Sequence, residues 1–337
     1  MNASLTNMCK LFIENRDRIK REFSWNSSYI YPVCAAIFTD KKQLVDVERL
    51  RFCDRMLKNY TGIFSNFRGT AKLAMVSMLS ASPDPEQKML KALQAYDMLK
   101  SHFFSSTFLP IAAVIMADMV EPDRYLHIAQ RTRRIYDLMR RNHFFLTSSE
   151  DSVFAAMLAL SSLSDEQIVN ETESCYQLLK NNFFSKNAVQ SLSHVLALCD
   201  GDPQDKCQRT MHLYHELSSR GCRYGGSYEL ANLGVLAMLP QDNIVNDIIA
   251  VDSFLSRQRG YGLVGLGRKQ RLMHAGMLVS SYLIAQNTQT KNDLRFNENL
   301  AMQTTAISST VSLIVAQQAA VCAAVAASSA AAASSST

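Results

Sequence analysis

The feature of this sequence that most constrains its fold is a repeat of about 40 residues. Tyrosine recurs at Tyr96, Tyr136, Tyr176 and Tyr214, and each is followed three positions later by leucine or methionine. A period of this length is typical of helical hairpins, in which one helix pair forms each repeat. Because a single hairpin cannot cover its own apolar face, each hairpin must pack against its neighbours. The repeat therefore predicts a row of stacked hairpins.

The two helices of each predicted hairpin differ in character. Helix A is small and apolar, as in "IAAVIMA" at Ile111–Ala117, whereas helix B is amphipathic and closes on the tyrosine. The chain contains only 12 glycines and 7 prolines, which also favours helices. We predict an all-α fold of about seven stacked hairpins, preceded by a helix at Leu5–Phe23. The period does not distinguish an open α-solenoid from a closed α/α toroid.

Aspartates recur in a second register, each just before the polar start of a helix B. Aspartate is a preferred N-cap because its carboxylate accepts hydrogen bonds from amide groups of the first helical turn. The sequence "SDEQ" at Ser164–Gln167 also fits a capping box. We therefore interpret these aspartates as helix caps. They are Asp46, Asp84, Asp123, Asp165, Asp202 and Asp242.

The loops between helix B of one repeat and helix A of the next contain paired phenylalanines, at 103–104, 144–145 and 183–184. Paired aromatic rings would fill the junction between stacked hairpins, and Ser148 or Ser149 would cap the following helix. The loop "NHFFLTSSED" also carries polar groups, and loops on a rigid scaffold are where binding residues collect. We therefore hypothesise a binding site in this loop, beside Arg68. Its residues are Arg68, His143, Thr147, Ser148, Glu150 and Asp151.

Two other motifs do not predict a cofactor or metal site. "GYGLVGLG" at 260–267 contains G-x-G-x-x-G, but a predicted helix precedes it where the dinucleotide fingerprint requires a strand. His212 and His215 lie beside Glu216 without the H-E-x-x-H or close cysteine spacing of zinc sites. We expect an inter-repeat loop at the first and an exposed helix face at the second, with no cofactor and no metal.

The charge and the cysteines indicate the class of protein. The net charge of +5 is dispersed, so nucleic acid is an unlikely partner. The arginine-rich segment 123–141 is predicted to be a solvated helix face, with an anion or RNA contact as the alternative. The eight cysteines show no C-x-x-C pairs, which predicts buried free thiols in a reducing compartment. The N-terminal apolar run is too interrupted for a secretory signal, so we expect a cytoplasmic protein.

The composition changes near the C-terminus, where no charged residue follows Glu298. We predict a helical-repeat domain at 1–286, a linker at 287–299 and an uncharged Ala- and Ser-rich helix or tail at 300–337. Apolar residues in the tail follow the spacing of a coiled-coil seam. This pattern suggests self-association or docking of a protein partner through 305–330. Weak membrane association and a disordered low-complexity tail are the alternatives.

Four sequence segments resemble an uncharacterised bacterial family, domain-of-unknown-function family 4003. They are "GIFSNFRG" at Gly62–Gly69, "YDLMRRNHFFLTSSED" at Tyr136–Asp151, "SLSHVLAL" at Ser191–Leu198 and "AQQAAVCAAVAA" at 316–327. The resemblance extends over nearly the whole chain. It implies no known reaction, cofactor or catalytic residue.

Three functional hypotheses remain open on the sequence alone. The first is a non-enzymatic helical-repeat protein that binds a partner or serves as a scaffold, because stacked hairpins present long binding surfaces. The second is an α/α-toroid enzyme, such as a hydrolase of a sugar or small metabolite, with its site around the 143–151 loop. The third is an RNA- or membrane-associated adaptor that uses the arginine-rich helix and the tail.

Overall fold

The computed structural model describes residues 1–224, 229–239, 242–262 and 265–289. These residues form α-helices and two short 3₁₀ helices, with no β-strand among them, so the predicted all-α fold is confirmed. The α-helices of this part of the chain are α1 (Ala3–Glu22), α2 (Ile30–Asp40), α3 (Val47–Tyr60), α4 (Lys72–Ser80), α5 (Pro85–Lys100), α6 (Leu109–Met119), α7 (Tyr125–Asn142), α8 (Asp151–Leu160), α9 (Asp165–Leu179), α10 (Lys186–Ala197), α11 (Pro203–Ser219), α12 (Leu230–Ala237), α13 (Ile244–Ser256) and α14 (Gly267–Gln289).

Even-numbered and odd-numbered helices occupy different layers. In α6 every residue from Leu109 to Ala117 is buried, and α2, α8, α10 and α12 are buried on nearly all sides. A helix that is apolar all round must lie inside the protein. The odd-numbered helices bury one stripe only, as α7 does through residues such as Ile128 and Ile135. The even-numbered helices therefore form an inner layer and the odd-numbered helices an outer layer.

The series of helix contacts returns from the last described helix to the first. Helix α14 packs against α12 and α13, which precede it, and also against α1 and α2. The Asn2 side chain is hydrogen-bonded to the hydroxyl of Tyr282, and the Arg16 guanidinium lies 5.3 Å from the centre of the Tyr261 ring. In this arrangement α1 is the outer partner of α14 as well as of α2. These contacts favour the closed alternative over the open one.

The connections between helices lie at two opposite ends of the layers. Connections from an outer to an inner helix meet at one end, where the Asn66 amide donates to Ser105 (2.6 Å) in the next connection. Connections from an inner to an outer helix meet at the other end, where Lys41 donates to the carbonyl of Ala81 (2.5 Å). We call the first the aromatic end and the second the acidic end, after residues described below.

Half of the predicted aspartate caps are confirmed. The carboxylates of Asp46, Asp84 and Asp202 accept hydrogen bonds from backbone amides in the first turns of α3, α5 and α11. Pro85 and Pro203 follow two of them, at a helical position where the missing N–H leaves no bond unmade. The confirmed caps therefore have a structural role that accounts for these carboxylates.

At the other three positions the prediction is wrong. Ser164 caps α9 in a complete capping box with Gln167, as predicted, and this makes Asp165 the first helical residue. Asp123 lies within a 3₁₀ helix that precedes α7. The residue at the N-cap of α13 is Asn243, with φ of 63°, and not Asp242. In each case a neighbouring residue occupies the N-cap position of the helix, namely Arg124, Ser164 or Asn243.

Candidate functional site

Arg68, one of the predicted site residues, donates hydrogen bonds to residues at the C-terminal end of α3. Its Nε donates to the hydroxyl of Thr61 (3.1 Å), and its Nη2 donates to the carbonyls of Lys58 and Thr61. The last carbonyls of a helix have no partner within the helix, and a guanidinium can satisfy several of them at once. These bonds do not join Arg68 to the 143–151 loop, so the structure does not bring it together with the other predicted site residues.

His143 ends α7 and contacts α9. Its Nε2 lies 2.9 Å from a carboxylate oxygen of Glu173, and its ring centre lies 4.2 Å from that of Tyr176. Phenylalanine makes the equivalent contact in three other loops, where Phe67, Phe103 and Phe183 each pack against the tyrosine of the next outer helix. His143 is therefore a packing residue between successive repeats as well as a polar group.

Thr147 and Ser148 are held by backbone and side-chain bonds. The Thr147 hydroxyl donates to the carbonyl of His143 (3.0 Å) and accepts from the Gln190 amide on α10 (2.9 Å). The Ser148 hydroxyl bonds the Glu150 carboxylate. The prediction that Ser148 or Ser149 caps α8 is wrong, because Glu150 occupies the N-cap position and no side chain caps the helix there.

Asp151, a predicted site residue of the loop, is the first residue of α8 and is buried. Its carboxyl accepts from the Ser148 amide (2.8 Å) and its other oxygen lies 3.6 Å from Nδ1 of His194 on α10. Burial raises the pKa of Asp151 to about 8, and the Ser148 hydrogen bond only partly offsets it. Burial, with a smaller contribution from the charge of His143, lowers the pKa of His194 to about 3. The pair is therefore a neutral acid beside a neutral imidazole, and not an ion pair.

The space near this pair is small. The cavity lined by His143, Glu173 and His194 has a volume of about 10 Å³, enough for one water molecule. A larger cavity of about 160 Å³ lies at the acidic end, between the last turns of α6, α8 and α10. Its buried cation, Lys206, is already bonded to Glu171 (2.7 Å) and to the carbonyl of Cys199 (3.0 Å). Neither cavity combines room for a substrate with an unpaired reactive group.

The paired phenylalanines divide between packing and exposure. The prediction that they fill the junctions is right for one ring in two of the three pairs, Phe103 and Phe183, and wrong for the pair 144–145. Phe183 is buried against Tyr214, whereas Phe184 is 99% exposed. In the 143–151 loop His143 takes the packing position, and both phenylalanines are exposed. The rings in solvent at the aromatic end are Phe64, Phe104, Phe145 and Phe184, each exposed by 96% to 99%, together with Phe144, Ile63 and Trp25.

A basic pocket of about 560 Å³ lies at the same end, where α1 meets the connection before α14. Lys20, Arg21 and Arg259 contribute exposed cations, and Asp17 is the acidic residue of the lining. That carboxylate already accepts two hydrogen bonds from Arg16 (2.9 and 2.7 Å). The pocket therefore has an excess of positive charge that its own aspartate does not neutralise.

The sequence matches the profile of a family described as "Protein of unknown function (DUF4003)" over residues 15–319. The chain belongs to the DUF4003 family. This DUF4003 chain is 23% identical over 282 residues to a protein of Bacillus subtilis (strain 168) named "Uncharacterized protein YeaA", across 81% of this chain and 83% of that protein. No solved structure matches it. The family match includes the whole lining of the basic pocket.

The sequence analysis missed a set of buried polar side chains on the inner helices of this DUF4003 protein. The Tyr261 hydroxyl lies 2.9 Å from Nδ1 of His274, and the Tyr224 hydroxyl is bonded to Asn232. Their isolated positions in apolar sequence give no signal that they meet. Each pair joins an inner helix to a connection at the aromatic end, which supports a role in fixing the loops.

The arginines of α7 also have structural partners. Arg131 bonds Asp165 (2.9 Å) and carbonyls of the turn before α9, including that of Ser161 (3.0 Å). Arg133 donates to the carbonyl of His102 (2.9 Å) and lies over the Phe103 ring. Among the described residues there is no group of His, Cys, Asp and Glu that could hold a metal ion. Within the same residues, no helix is both long and apolar enough to cross a bilayer.

Proposed function

We propose that this protein is a non-enzymatic binding protein that docks on its partner through the aromatic end. One observation carries the proposal. In each of four successive outer-to-inner connections a phenylalanine extends almost fully into solvent, at Phe64, Phe104, Phe145 and Phe184. A ring that contacts little in the folded protein contributes little to folding, because the unfolded chain exposes it equally. Recurrence on one end of a rigid scaffold therefore supports a binding role.

The enzyme hypothesis has less support at the 143–151 loop. Asp151 and His194 are buried, and the adjacent cavity has room for a single water. A general base must come within hydrogen-bond reach of a bound substrate. The polar groups of this loop bond one another and the neighbouring helices, which supports a positioning role for the loop. The predicted partner contact through 305–330 lies outside the described residues, and so does the predicted tail; both stay predictions.

Site-specific photocrosslinking in living cells tests the proposal. A benzophenone side chain at Phe104 or Phe184 should form adducts with a partner molecule, either protein or lipid. The same group at Phe52 or Leu126, exposed on the outer helices α3 and α7, is the matched control. Adducts specific to the aromatic end support docking. Equal labelling from all four positions, or none from the aromatic end, would contradict it.

A further inference from the structure

We infer that the partner of the aromatic end is an anionic lipid bilayer, whose surface receives the exposed rings while its phosphate groups meet the basic residues around them. This inference rests on the proposed function, since it names the partner of the same surface. Three independent features carry it: the distribution of charge between the two ends, the shape of the apolar surface, and the basic pocket.

Charge is separated between the two ends of the molecule. The connections at the aromatic end carry fourteen lysines and arginines against three acidic residues, and those at the acidic end carry fifteen acidic residues against three basic ones. The first set comprises 20–29, 58–71, 100–108, 140–150, 180–186, 220–224, 229, 257–262 and 265–268. The second set comprises 40–48, 81–86, 118–124, 161–166, 198–205, 238–239 and 242–247. An anionic surface would therefore attract one end, repel the other and orient the protein.

Most cations at the aromatic end have no carboxylate partner among the described residues. Some of their donors are used by carbonyl or amide oxygens, at Arg68, Lys180, Lys186, Arg220 and Arg268. Of the fourteen, only Lys58 has a carboxylate partner within the described part of the chain, at 2.6 Å in Asp54. The arginines that do form ion pairs lie elsewhere, as Arg131 does at the acidic end. Helix dipoles account for some basic residues in the last helical turns. Arg257, at the C-cap of α13, is one of these, whereas Arg259 lies beyond the helix end and lines the basic pocket.

The shape of the apolar surface suits a lipid interface. The exposed rings are distributed over separate connections, at positions such as Trp25, Phe64 and Phe104. A folded protein partner would need a separate complementary pocket for each ring. A bilayer interface is deformable and accepts aromatic side chains at the level of the headgroups. Rings combined with basic residues are the usual composition of surfaces that bind anionic membranes without crossing them.

The basic pocket adds a place for a lipid headgroup. The exposed Trp25 belongs to the α1–α2 connection, three residues before the pocket residue Ser28. Lys20 and Arg259 reach the pocket from α1 and from the connection before α14. A phosphate in this pocket would contact Lys20 of α1 and Arg259 of the connection before α14. Phosphate binding of this kind is favoured because guanidinium and ammonium groups donate charge-assisted hydrogen bonds.

Vesicle binding by the full chain tests the inference. Co-sedimentation with phosphatidylglycerol–phosphatidylcholine vesicles should retain the protein, and vesicles of phosphatidylcholine alone should not. Replacing Phe64, Phe104, Phe145 and Phe184 together by serine should weaken binding by at least about tenfold, because the apolar area is lost. Replacing Lys20, Arg21 and Arg259 together by glutamate should weaken it at least as much, and added salt should weaken binding of the wild type.

The control variant carries Phe52→Ser and Leu126→Ser, which remove exposed apolar side chains from the outer helices and should bind like the wild type. Every variant keeps residues 290–337, so a loss of binding is assigned to the aromatic end and not to the tail. Circular dichroism melts of each variant establish that it is folded; single Phe→Ser variants replace the quadruple one if it is not.

Three outcomes would overturn the inference. Vesicle binding that the phenylalanine and charge variants leave unchanged excludes this end as the lipid-binding surface. Absence of vesicle binding, with benzophenone adducts to a protein from Phe104, leaves the proposed function standing and excludes the lipid. Binding of a single-stranded RNA oligonucleotide, lost in the same variants and without vesicle binding, would identify a nucleic acid instead. If neither adducts nor vesicle binding occurs, the proposed function fails as well.

Discussion

The Asp151 carboxyl and the His194 imidazole lie 3.6 Å apart between α8 and α10, with only 1% and 2% of their side chains exposed. Such a distance ordinarily indicates an ion pair, yet burial favours the uncharged form of both groups. With a pKa of about 8 for the acid and about 3 for the imidazole, both are uncharged near neutral pH. Ionisation of Asp151 therefore places an uncompensated charge in the interior and should destabilise the folded protein.

The contribution of Asp151 to the free energy of unfolding should therefore fall as the pH rises above the ordinary Asp pKa of 3.8 toward about 8. His194 opposes this change below its ordinary pKa of 6.5, so the net fall is expected between 6.5 and about 8. In that window the unfolded chain has released the Asp151 proton and the folded protein keeps it. Asp151→Asn has no proton to release and should be more stable than the wild type at pH 8 by several kcal/mol, since each unit between the two pKa values corresponds to about 1.4 kcal/mol. Urea unfolding at several pH values measures this difference.

His194 supplies the control, because its folded pKa is depressed and its effect has the opposite sign. Its contribution is lost as the pH falls through 6.5 toward about 3. Asp151→Asn should still lose stability as the pH falls from 6.5 toward about 3, because His194 is unchanged. If the stability of Asp151→Asn declined between neutral and alkaline pH as steeply as that of the wild type, the proton of Asp151 would not be the cause.

Adjacent phenylalanines should differ sharply in their effect on stability. Phe183 packs edge-on against Tyr214, with ring centres 5.0 Å apart, whereas Phe184 is exposed. Phe183→Ala should lower the free energy of unfolding by about 3 kcal/mol, through lost burial and a cavity. Phe184→Ala should change it by no more than about 0.5 kcal/mol. Chemical denaturation of the two variants makes the comparison, and equal losses would show that Phe184 is a packing residue.

His143 should be replaceable by phenylalanine but not by alanine. It occupies the position at which Phe103 and Phe183 cover the next tyrosine, and its ring lies against Tyr176. His143→Ala loses this contact and the bond to Glu173, which should cost about 1–2 kcal/mol. His143→Phe keeps the ring and should recover most of that loss. Thermal melts distinguish the two; an alanine variant as stable as the wild type would assign His143 to binding alone.

The sequence predicts the helices well because a buried helix face appears as apolar residues three and four positions apart, which can be read without knowing the tertiary fold. It does not predict the exposure of Phe104 or Phe184, because both rings of a pair look equally apolar in sequence and the loop backbone decides which one meets the tyrosine. Arg68 was placed beside the 143–151 loop, yet its donors are used by carbonyls at the end of α3. The basic pocket joins Lys20 to Arg259 across the junction of the first and last helices, and only the tertiary fold brings them together.

The contact between α12 and α14 depends on a glycine, Gly276. Helix α14 also contacts α1. A Cβ added at Gly276 would lie 2.7 Å from the Tyr224 hydroxyl, 2.8 Å from the Leu236 side chain and 3.0 Å from the Asn232 amide oxygen. Alanine normally favours a helix over glycine by about 0.5–1 kcal/mol. Here the Tyr224–Asn232 hydrogen bond holds the obstructing atoms in place.

Gly276→Ala should therefore destabilise the protein by about 1–3 kcal/mol, since overpacking outweighs the gain in helix propensity. Gly62→Ala is the matched control, because a Cβ there meets no atom within 4 Å and the substitution should be nearly neutral. Hydrogen exchange gives the spatial readout: faster exchange in α14 and also in α1 is expected if the two helices depend on each other. Loss of protection confined to α12 and α14, with α1 unchanged, would argue that the contact between the first and last helices contributes little to stability.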